Sequence, residues 1–559
     1  MLSSFRAHRI IILILLLAAI IRLPRLVLPI SGRYAMNEAS AEAMCDHLRY
    51  TVEEFLFPKV DWFTNTSMSR VYIQESPIYH AICRGVHMTS LPLTMSARIT
   101  SLLFGLSTIL FLYLLCDRYY GQQIAVAASA LCVFCPLSWY NDTSVMSDVA
   151  MSSSMYAGFF FFLRWNNDHR RHLDMVLSAM LICFAGLFKP YGFMIGIAMA
   201  VQITMTRGVK SLFIPAHLAY AATMLLPGIL WTIHALSANA GANDIKSAHH
   251  ILHFSMLTDP TILSSFVGER IIMSLLSAVW LPFFVLGLIT VFTHPRSYSA
   301  AMSLLVMCGF YLLLVAPGNF AHEYYQLPMT PTVCLTTAIG ITSYLHTRDP
   351  HPLSRQWILL TATCTFIAVA SVWAINAISA DPVSVKSAYR LAVRVLIPLV
   401  SVAAVAGSLA NSSAKTKKQV LALLFIISCA VSSSQFYLMS RVDKGRVLLS
   451  SHLTQVASPI VVLDSDWMAG TTILRNSGNI GWISGSPNLA NLTHSDSPIE
   501  QLMECKGLGA RTLAVCLLAS DADLYSDLLS SLDKRFECEW RKPSVDHFGR
   551  KLLLRVYSM

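Results

Sequence analysis

The chain has 559 residues, of which 55% are hydrophobic and only 13% are charged, whereas about 25% of the residues in ordinary soluble domains are charged. The mean hydropathy is +0.56. These values exclude a soluble globular enzyme, a disordered chain and a fibrous repeat, and they predict a polytopic α-helical membrane protein.

The net charge of +10 is unevenly distributed along the chain. Residues 441–559 carry 13 basic and 13 acidic side chains, so the whole excess lies in residues 1–440. There the basic side chains are scattered over short loops, which argues against nucleic-acid binding. We therefore expect a transmembrane module, residues 1–440, followed by a soluble C-terminal domain, residues 441–559.

Segments of about 20 apolar residues are long enough to cross a bilayer, and the transmembrane module contains about thirteen of them. The predicted spans are 9–28, 93–116, 122–139, 147–165, 172–188, 190–206, 211–236, 271–293, 298–316, 326–345, 356–378, 391–410 and 419–439.

The charges of the connecting loops indicate how these spans are oriented. When the N-terminus is placed in the cytoplasm, that side holds 14 basic and only four acidic residues, in agreement with the positive-inside rule. The other 14 acidic residues of the module then face outside. The C-terminal domain also lies outside, because the number of spans is odd. The expected location is a bacterial cytoplasmic membrane.

Two long loops, residues 29–92 and 237–270, lie on the outer face in this orientation. The first long loop, residues 29–92, holds seven of the module's 18 acidic residues. Ala and Met recur in it with helical spacing, which predicts a helix at the membrane surface. Glu38 and Glu42 share one face of that helix. Long loops on one side of a rigid scaffold commonly carry function.

Short motifs follow one another in a fixed order over residues 5–345. They are GRYAMNEASAEAM (32–44), FLFPKVDWF (55–63), QESPIYHAICRGV (74–86), SARITSLLFGLSTILFLYLL (96–115), NDTSVMSD (141–148), FKP (188–190) and HEYYQLP (322–328). In this order the motifs resemble those of GT-C glycosyltransferases. Within that superfamily the resemblance is to bacterial protein O-mannosyltransferase-like and lipid A aminoarabinose transferase-like enzymes.

The resemblance implies a GT-C fold and a defined reaction. A hexose or pentose would pass, with inversion, from a polyprenyl-phosphate donor to an acceptor hydroxyl at the outer face of the membrane. The acceptor would be a glycan, a lipid or a protein. No cofactor is expected beyond the lipid-linked substrate, although carboxylates on the outer face could bind a divalent metal ion.

Two carboxylates are the candidate catalytic residues. Glu38 lies where the family has its catalytic acid, and the resemblance assigns it as the general base that a hydroxyl nucleophile needs, with Asp148 as the second carboxylate. The family's Asp-Glu pair is Asn37-Glu38 here, which makes Glu42 an alternative base. Glu38 would otherwise be a solvated surface carboxylate, and Asp148 a charge that favours a helix N-terminus.

Cationic and polar residues on the same face are candidates for binding the donor's phosphate or sugar. Lys189 is the most informative, because it separates two apolar runs where an unpaired ammonium is costly. The alternatives are a lysine that snorkels to the interface, an Arg270 that only pairs with Glu269, and interfacial aromatic residues. The candidates are Arg33, Glu75, Lys189, Arg270, His322 and Tyr324.

The C-terminal domain has the pattern of one small α/β domain, which would serve stability or acceptor capture. The predicted strands are 460–463, 512–518 and 551–557, and the predicted helices are 499–506 and 524–536.

Two other classes of function remain open at this stage. A transporter or flippase of a lipid-linked sugar would show internal repeats and polar groups at mid-membrane, and an oligosaccharide polymerase or ligase would share the donor chemistry. Cys45 and Cys83 share the first long loop, and their spacing leaves open whether they pair in an oxidising compartment.

Overall fold

The computed structural model of the protein describes residues 2–63, 68–238, 266–346, 396–410, 413–484 and 498–559, except residues 522, 524, 548 and 549. The predicted span 356–378 and the first residues of the predicted span 391–410 lie outside this part of the chain. The described residues form a helical body, followed by a small domain built on a five-stranded sheet.

The helical body consists of α-helices joined by short 3₁₀ segments and one π-helix. The α-helices are Leu2–Arg22, Ala35–His47, Val52–Leu56, Ile78–His87, Leu93–Tyr120, Gln122–Val133, Pro136–Asn141, Ser147–Asn167, His172–Phe188, Ile195–Arg207, Pro215–Ala238, Leu281–Thr293, Ser299–Leu314, Ala316–Ala321, Thr330–His346, Ile397–Ala410 and Ala414–Met439. The 3₁₀ segments are Leu23–Val27, Pro190–Met194, Val209–Phe213 and Glu323–Met329, and the π-helix is Phe266–Leu275.

Four apolar segments of the described chain are long enough to cross a membrane on their own. They are Arg9–Val27, Leu93–Tyr120, Pro215–Ala238 and Lys415–Leu453. Four further apolar helices have 10–17 residues. These helices support the prediction of an integral membrane protein, whereas the count of thirteen spans stays a prediction.

Several predicted spans are interrupted at residues that disfavour a continuous helix. The span 122–139 stops at Val133 and restarts at Pro136, because proline lacks the N–H that a helix interior requires. The span 271–293 begins within the π-helix and is broken at Ser277 and Ala278, whose φ values are +49° and +61°.

Close helix packing in the body depends on small residues. A Cβ on Gly287 would lie 1.8 Å from the Thr336 carbonyl oxygen, and one on Gly340 would lie 1.9 Å from the Phe283 carbonyl oxygen. The helices Leu281–Thr293 and Thr330–His346 thus approach backbone to backbone, as small residues allow between membrane helices.

The C-terminal domain confirms the predicted α/β architecture. Its strands are β1 Ile460–Asp464, β2 Gly481–Ser484, β3 Thr512–Leu518, β4 Glu537–Val545 and β5 Lys551–Ser558. The sheet has the order β2-β1-β3-β5-β4, with β1 parallel to β2 and β3, and β5 antiparallel to β3 and β4. The helices are Lys444–Leu453, Trp467–Ser477, Pro498–Gly507 and Ser526–Arg535. The central strands β1 and β3 are buried on both faces, as a parallel sheet covered by helices requires.

The first long loop packs directly against this domain. Met44, Val60 and Trp62 belong to the same apolar core as strands β1 and β3. Trp62 also forms a parallel bridge to Gly481 at the edge of β2, and Phe63 stacks on Trp482 with ring centroids 4.7 Å apart. The loop therefore extends the sheet edge, so the soluble domain and the first long loop form one folded unit.

Candidate active site

Glu38 lies between two buried arginines. Arg98 donates from Nη2 to Glu38 Oε2 at 3.0 Å, and Arg25 forms an ion pair with Glu38 Oε1. Glu38 is only 1% exposed. The partners come from three elements: the 3₁₀ segment Leu23–Val27, the helix Ala35–His47 and the helix Leu93–Tyr120. Glu38 therefore joins these three elements at one buried point.

The guanidinium groups around Glu38 make further hydrogen bonds, although Arg98 Nε has no partner among the described residues. Arg98 donates to the Arg25 carbonyl oxygen at 2.6 Å, and Arg25 donates to the Tyr140 carbonyl oxygen at 3.1 Å and to Ser144 Oγ at 2.9 Å. Burial alone would raise the pKa of Glu38, but the two arginines outweigh it and hold that pKa below its ordinary value. A carboxylate held in this way is a poor proton acceptor, which argues against Glu38 as the general base.

Asp148 and Lys189 form another ion pair of the helical body. Lys189 Nζ lies 2.9 Å from Asp148 Oδ2, and their side chains are 13% and 2% exposed. Asp148 belongs to the first turn of the helix Ser147–Asn167. Lys189 has an extended backbone conformation and connects the helix His172–Phe188 to the 3₁₀ segment Pro190–Met194. Folding thus brings the two predicted residues together as an ion pair.

Glu75 lies beside this ion pair. Ser147 Oγ donates to Glu75 Oε1 at 2.9 Å, and Glu75 interacts electrostatically with both Asp148 and Lys189. Two carboxylates therefore surround one ammonium group. The next residue, Ser76, is buried, and its Oγ has no hydrogen-bond partner among the described residues. Its hydroxyl could therefore form a hydrogen bond with a bound substrate.

Aromatic rings cover the ammonium group of Lys189. Its Nζ lies 5.1 Å from the ring centroid of Tyr324 and 5.4 Å from that of Tyr325, within the range of cation–π attraction. His322 stacks on Tyr324 with centroids 5.1 Å apart and an interplanar angle of 10°. The HEYYQLP motif thus supplies an aromatic wall next to the Lys189–Asp148 pair.

Arg33 and Arg270 both contact Glu323 of the HEYYQLP motif, a residue to which the sequence analysis assigned no role. Both form ion pairs with Glu323, and the Tyr34 hydroxyl donates to the same carboxylate. Arg270 also donates from Nη2 to the Phe320 carbonyl oxygen at 2.9 Å. The expected alternative partner of Arg270, Glu269, lies outside the side chains that the structure describes.

Glu42, the alternative base, is engaged by the C-terminal domain. Arg475 Nε lies 3.3 Å from Glu42 Oε1, and the same guanidinium group contacts Asp46 at 2.9 Å and Asp61 at 3.1 Å. Thr94 also donates to Glu42 at 3.1 Å. Burial raises the pKa of Glu42 despite these contacts. Its position at the domain contact favours a role in docking.

Sequence reasoning missed three residues of the site. Asn37, which stands where the family has Asp, is hydrogen-bonded through its side chain to the Tyr324 hydroxyl. It therefore contacts the aromatic wall. Tyr34 contacts the Tyr324 ring edge-on with centroids 5.1 Å apart. It has a left-handed φ of +62°, which is uncommon for a residue other than glycine. Glu323 was the third, and a carboxylate between His322 and two tyrosines in the HEYYQLP motif was the available signal.

Cys45 and Cys83 lie side by side in the first long loop. Cys45 and Cys83 are fully buried in one core cluster, and their thiols are hydrogen-bonded to each other. Both are free thiols in this structure. Among the side chains that the structure describes, no group of three or more His, Cys, Asp or Glu is arranged to hold a metal ion.

Comparisons with known proteins bear on the family and the fold. Residues 75–231 match the family model of dolichyl-phosphate-mannose-protein mannosyltransferase, and this range contains Glu75, Asp148 and Lys189. No curated protein sequence matches the chain significantly.

Solved structures match over nearly the whole chain. ArnT from Cupriavidus metallidurans bound to undecaprenyl phosphate is 13% identical, with a TM-score of 0.59 and 97% of each chain covered. The oligosaccharyltransferase AglB from Archaeoglobus fulgidus, in complex with an inhibitory peptide and a dolichol phosphate, is 11% identical with a TM-score of 0.54. That match covers 99% of this chain and 74% of AglB. The resemblance inferred from the sequence motifs is confirmed, and the protein has the fold of the GT-C glycosyltransferases.

Proposed function

We propose that the protein is an inverting glycosyltransferase that moves a hexose or pentose from a polyprenyl phosphate to an acceptor hydroxyl. The observation that carries this proposal is the buried Asp148–Lys189 ion pair, which Glu75 and the aromatic wall of Tyr324 and Tyr325 surround. It supplies a base and a phosphate-binding cation within one site. Similar folds are seen with undecaprenyl phosphate in ArnT and dolichol phosphate in AglB.

Asp148 is the base in this proposal, and Glu38 is a structural counter-ion. The acceptor oxygen attacks the anomeric carbon, and its proton passes to the Asp148 carboxylate. The bond from the anomeric carbon to the phosphate oxygen breaks, and its electron pair stays on that oxygen. The products are the glycosylated acceptor and the polyprenyl phosphate.

Lys189 stabilises the phosphate as it leaves. In the resting structure its charge is neutralised by Asp148 at 2.9 Å. A lipid phosphate that binds the ammonium group would replace Asp148 as its counter-ion and release the carboxylate for the proton. Charge-assisted hydrogen bonds of this kind are stronger than neutral ones. Donor binding and activation of the base are thereby coupled.

The remaining candidates surround this core. Glu75 orients Lys189, His322 and Tyr324 form a wall for the sugar, and Arg33 and Arg270 belong to a neighbouring anion-binding cluster. We place the site on the outer face of a bacterial cytoplasmic membrane, with the N-terminus inside. The acceptor is a glycan, a lipid or a protein, and the C-terminal domain lies on the side from which it arrives.

One assay tests the proposal against its alternatives. Purified full-length protein in detergent or liposomes receives a polyprenyl phosphate carrying a labelled sugar, with and without EDTA. Transfer of label to an acceptor, or its release by water, supports a glycosyltransferase. Movement of intact donor across the liposome membrane indicates a flippase, and growth of a lipid-linked oligosaccharide indicates a polymerase. Donor that is neither consumed nor moved contradicts the proposal.

A further inference from the structure

Three donors from separate parts of the chain converge on one carboxylate, that of Glu323. Arg33 and Tyr34 come from the first long loop, 290 and 289 residues away in sequence, and Arg270 comes from the π-helix Phe266–Leu275. The Glu323 side chain is 9% exposed, whereas that of Arg33 is 43% exposed. The cluster is thus buried on the side of Glu323 and open on the side of Arg33.

Among the described side chains, this cluster has more positive charge than Glu323 neutralises. Two guanidinium groups face one carboxylate, which leaves one positive charge in excess. Arg270 pairs with Glu323 through Nη1 and donates from Nη2 to the Phe320 carbonyl oxygen at 2.9 Å, whereas Arg33 keeps 43% of its side chain exposed. A second anion entering from the open side would find both charge and hydrogen-bonding capacity.

This cluster adjoins the proposed donor site. The Tyr34 ring contacts the Tyr324 ring, and the Tyr324 ring centroid lies 5.1 Å from Lys189 Nζ. Arg guanidinium groups bind phosphate through paired hydrogen bonds, and a phenol adds a third donor. The donor set held by Glu323 is therefore one that also suits a lipid phosphate.

We propose that Glu323 is an exchangeable counter-ion that competes with the lipid phosphate for Arg33, Arg270 and Tyr34. Glu323 holds the three donors in place while the site is empty. The incoming phosphate takes over their hydrogen bonds, and Glu323 takes them back when the polyprenyl phosphate departs. This inference rests on the proposed function, because it assigns the polyprenyl phosphate as the competing anion.

The competition predicts the direction in which a neutral isostere acts. Glu323→Gln keeps the shape and an acceptor oxygen but removes the competing charge. The dissociation constant of undecaprenyl phosphate for the full-length protein in detergent should fall about tenfold, since a competing charge-assisted interaction is lost. Inorganic phosphate should also bind the variant more tightly than the wild type, which would show that Glu323 competes with the phosphate group rather than with the prenyl chain.

A matched control exists in the C-terminal domain. Asp533 accepts hydrogen bonds from Arg555 at 2.8 Å and from Tyr557 at 2.8 Å, so it has the same kinds of partner far from the site in sequence. Asp533→Asn should leave the dissociation constant of undecaprenyl phosphate unchanged. If it tightens lipid binding as Glu323→Gln does, the effect comes from net charge, and the proposal is wrong.

The outcomes separate this inference from the proposed function. A dissociation constant that rises or stays constant in Glu323→Gln shows that Glu323 only holds the arginines, and it overturns the competition. If that variant does not fold, Glu323→Asp provides the test, because its shorter side chain should also tighten binding, by about threefold. A wild-type protein that neither binds undecaprenyl phosphate nor transfers sugar overturns the proposed function itself, and the competition with it.

Discussion

Two charge clusters of the helical body differ in the sign of their excess charge. At Glu38, two arginines share one carboxylate, and Arg25 also donates to the Tyr140 carbonyl oxygen and to Ser144 Oγ. At Asp148, one lysine faces two carboxylates, and aromatic rings cover it. The first cluster has an excess of cations and joins three elements of the fold. The second has an excess of carboxylates and lies beside Ser76, whose Oγ has no partner among the described residues.

The difference shows that burial of a charge does not by itself indicate chemistry. A saturated carboxylate with a lowered pKa stabilises the fold, because removing one partner leaves another charge buried and unpaired. A carboxylate whose single cation can be drawn away by a substrate is suited to accept a proton. We therefore propose Asp148, rather than Glu38, as the base.

The largest effect is expected for Asp148→Asn. Loss of the base should reduce the rate of sugar transfer by about 10²–10⁴-fold, as measured by initial rates with labelled donor. Asp174→Asn is the matched control, because Asp174 is also buried and pairs with Arg164 at 3.0 Å, but in a different part of the bundle. A fully active Asp148→Asn variant would exclude Asp148 as the base.

Glu38→Gln should affect stability rather than chemistry. Arg25 and Arg98 would remain buried against a neutral amide, which costs about 3–5 kcal/mol and should lower the melting temperature in detergent. The folded fraction should still transfer sugar faster than Asp148→Asn. A variant that melts like the wild type and transfers no sugar would return Glu38 to the catalytic role.

Lys189→Met tests whether Lys189 binds the donor's phosphate. Loss of a charge-assisted contact to phosphate should raise the KM for the donor by about 10–100-fold, and Lys189→Arg should recover part of this loss. An unchanged KM in the methionine variant would mean that Lys189 only neutralises Asp148 and Glu75.

A smaller effect is expected where the C-terminal domain docks. Arg475→Met leaves Glu42, Asp46 and Asp61 facing one another, which should cost about 1–2 kcal/mol. Limited proteolysis should then cut between the helical body and the C-terminal domain faster than in the wild type. Equal rates of cleavage would show that the shared apolar core around Trp62 holds the domain without Arg475.

The smallest effect concerns the pH dependence of that contact. Burial would raise the pKa of Asp61, but His47 and Arg475 outweigh it, so this pKa lies below its ordinary value. Asp61 therefore stabilises the folded state above its unfolded pKa of about 3.9, and this contribution is lost as the pH falls through the lower folded value. Melting temperatures of the wild type and Asp61→Asn should converge at low pH, and parallel curves would contradict the assignment.

Much of the architecture could be predicted from the sequence because it depends on the hydropathy and periodicity of neighbouring residues. The strand Thr512–Leu518 and the apolar helix His172–Phe188 have the bounds that their periodicity predicts. The helix Trp467–Ser477 and the strand β4 were missed, since one has a short apolar face and the other is an exposed edge strand. The predicted residues Asp148 and Lys189 came from motifs, and their contact came only from the fold.

The sequence by itself determined that this is an apolar, multi-helix chain with a neutral α/β domain at its end and with motifs of a GT-C fold. Tertiary structure decided which charge meets which partner. Glu38 and Arg98 are 60 residues apart, Arg33 and Glu323 are 290 apart, and Glu42 and Arg475 are 433 apart. Hydropathy and periodicity depend on neighbouring residues, whereas the role of a buried carboxylate depends on the cations that folding brings to it. That dependence is why Glu38 and Asp148 looked alike in the sequence and differ in the structure.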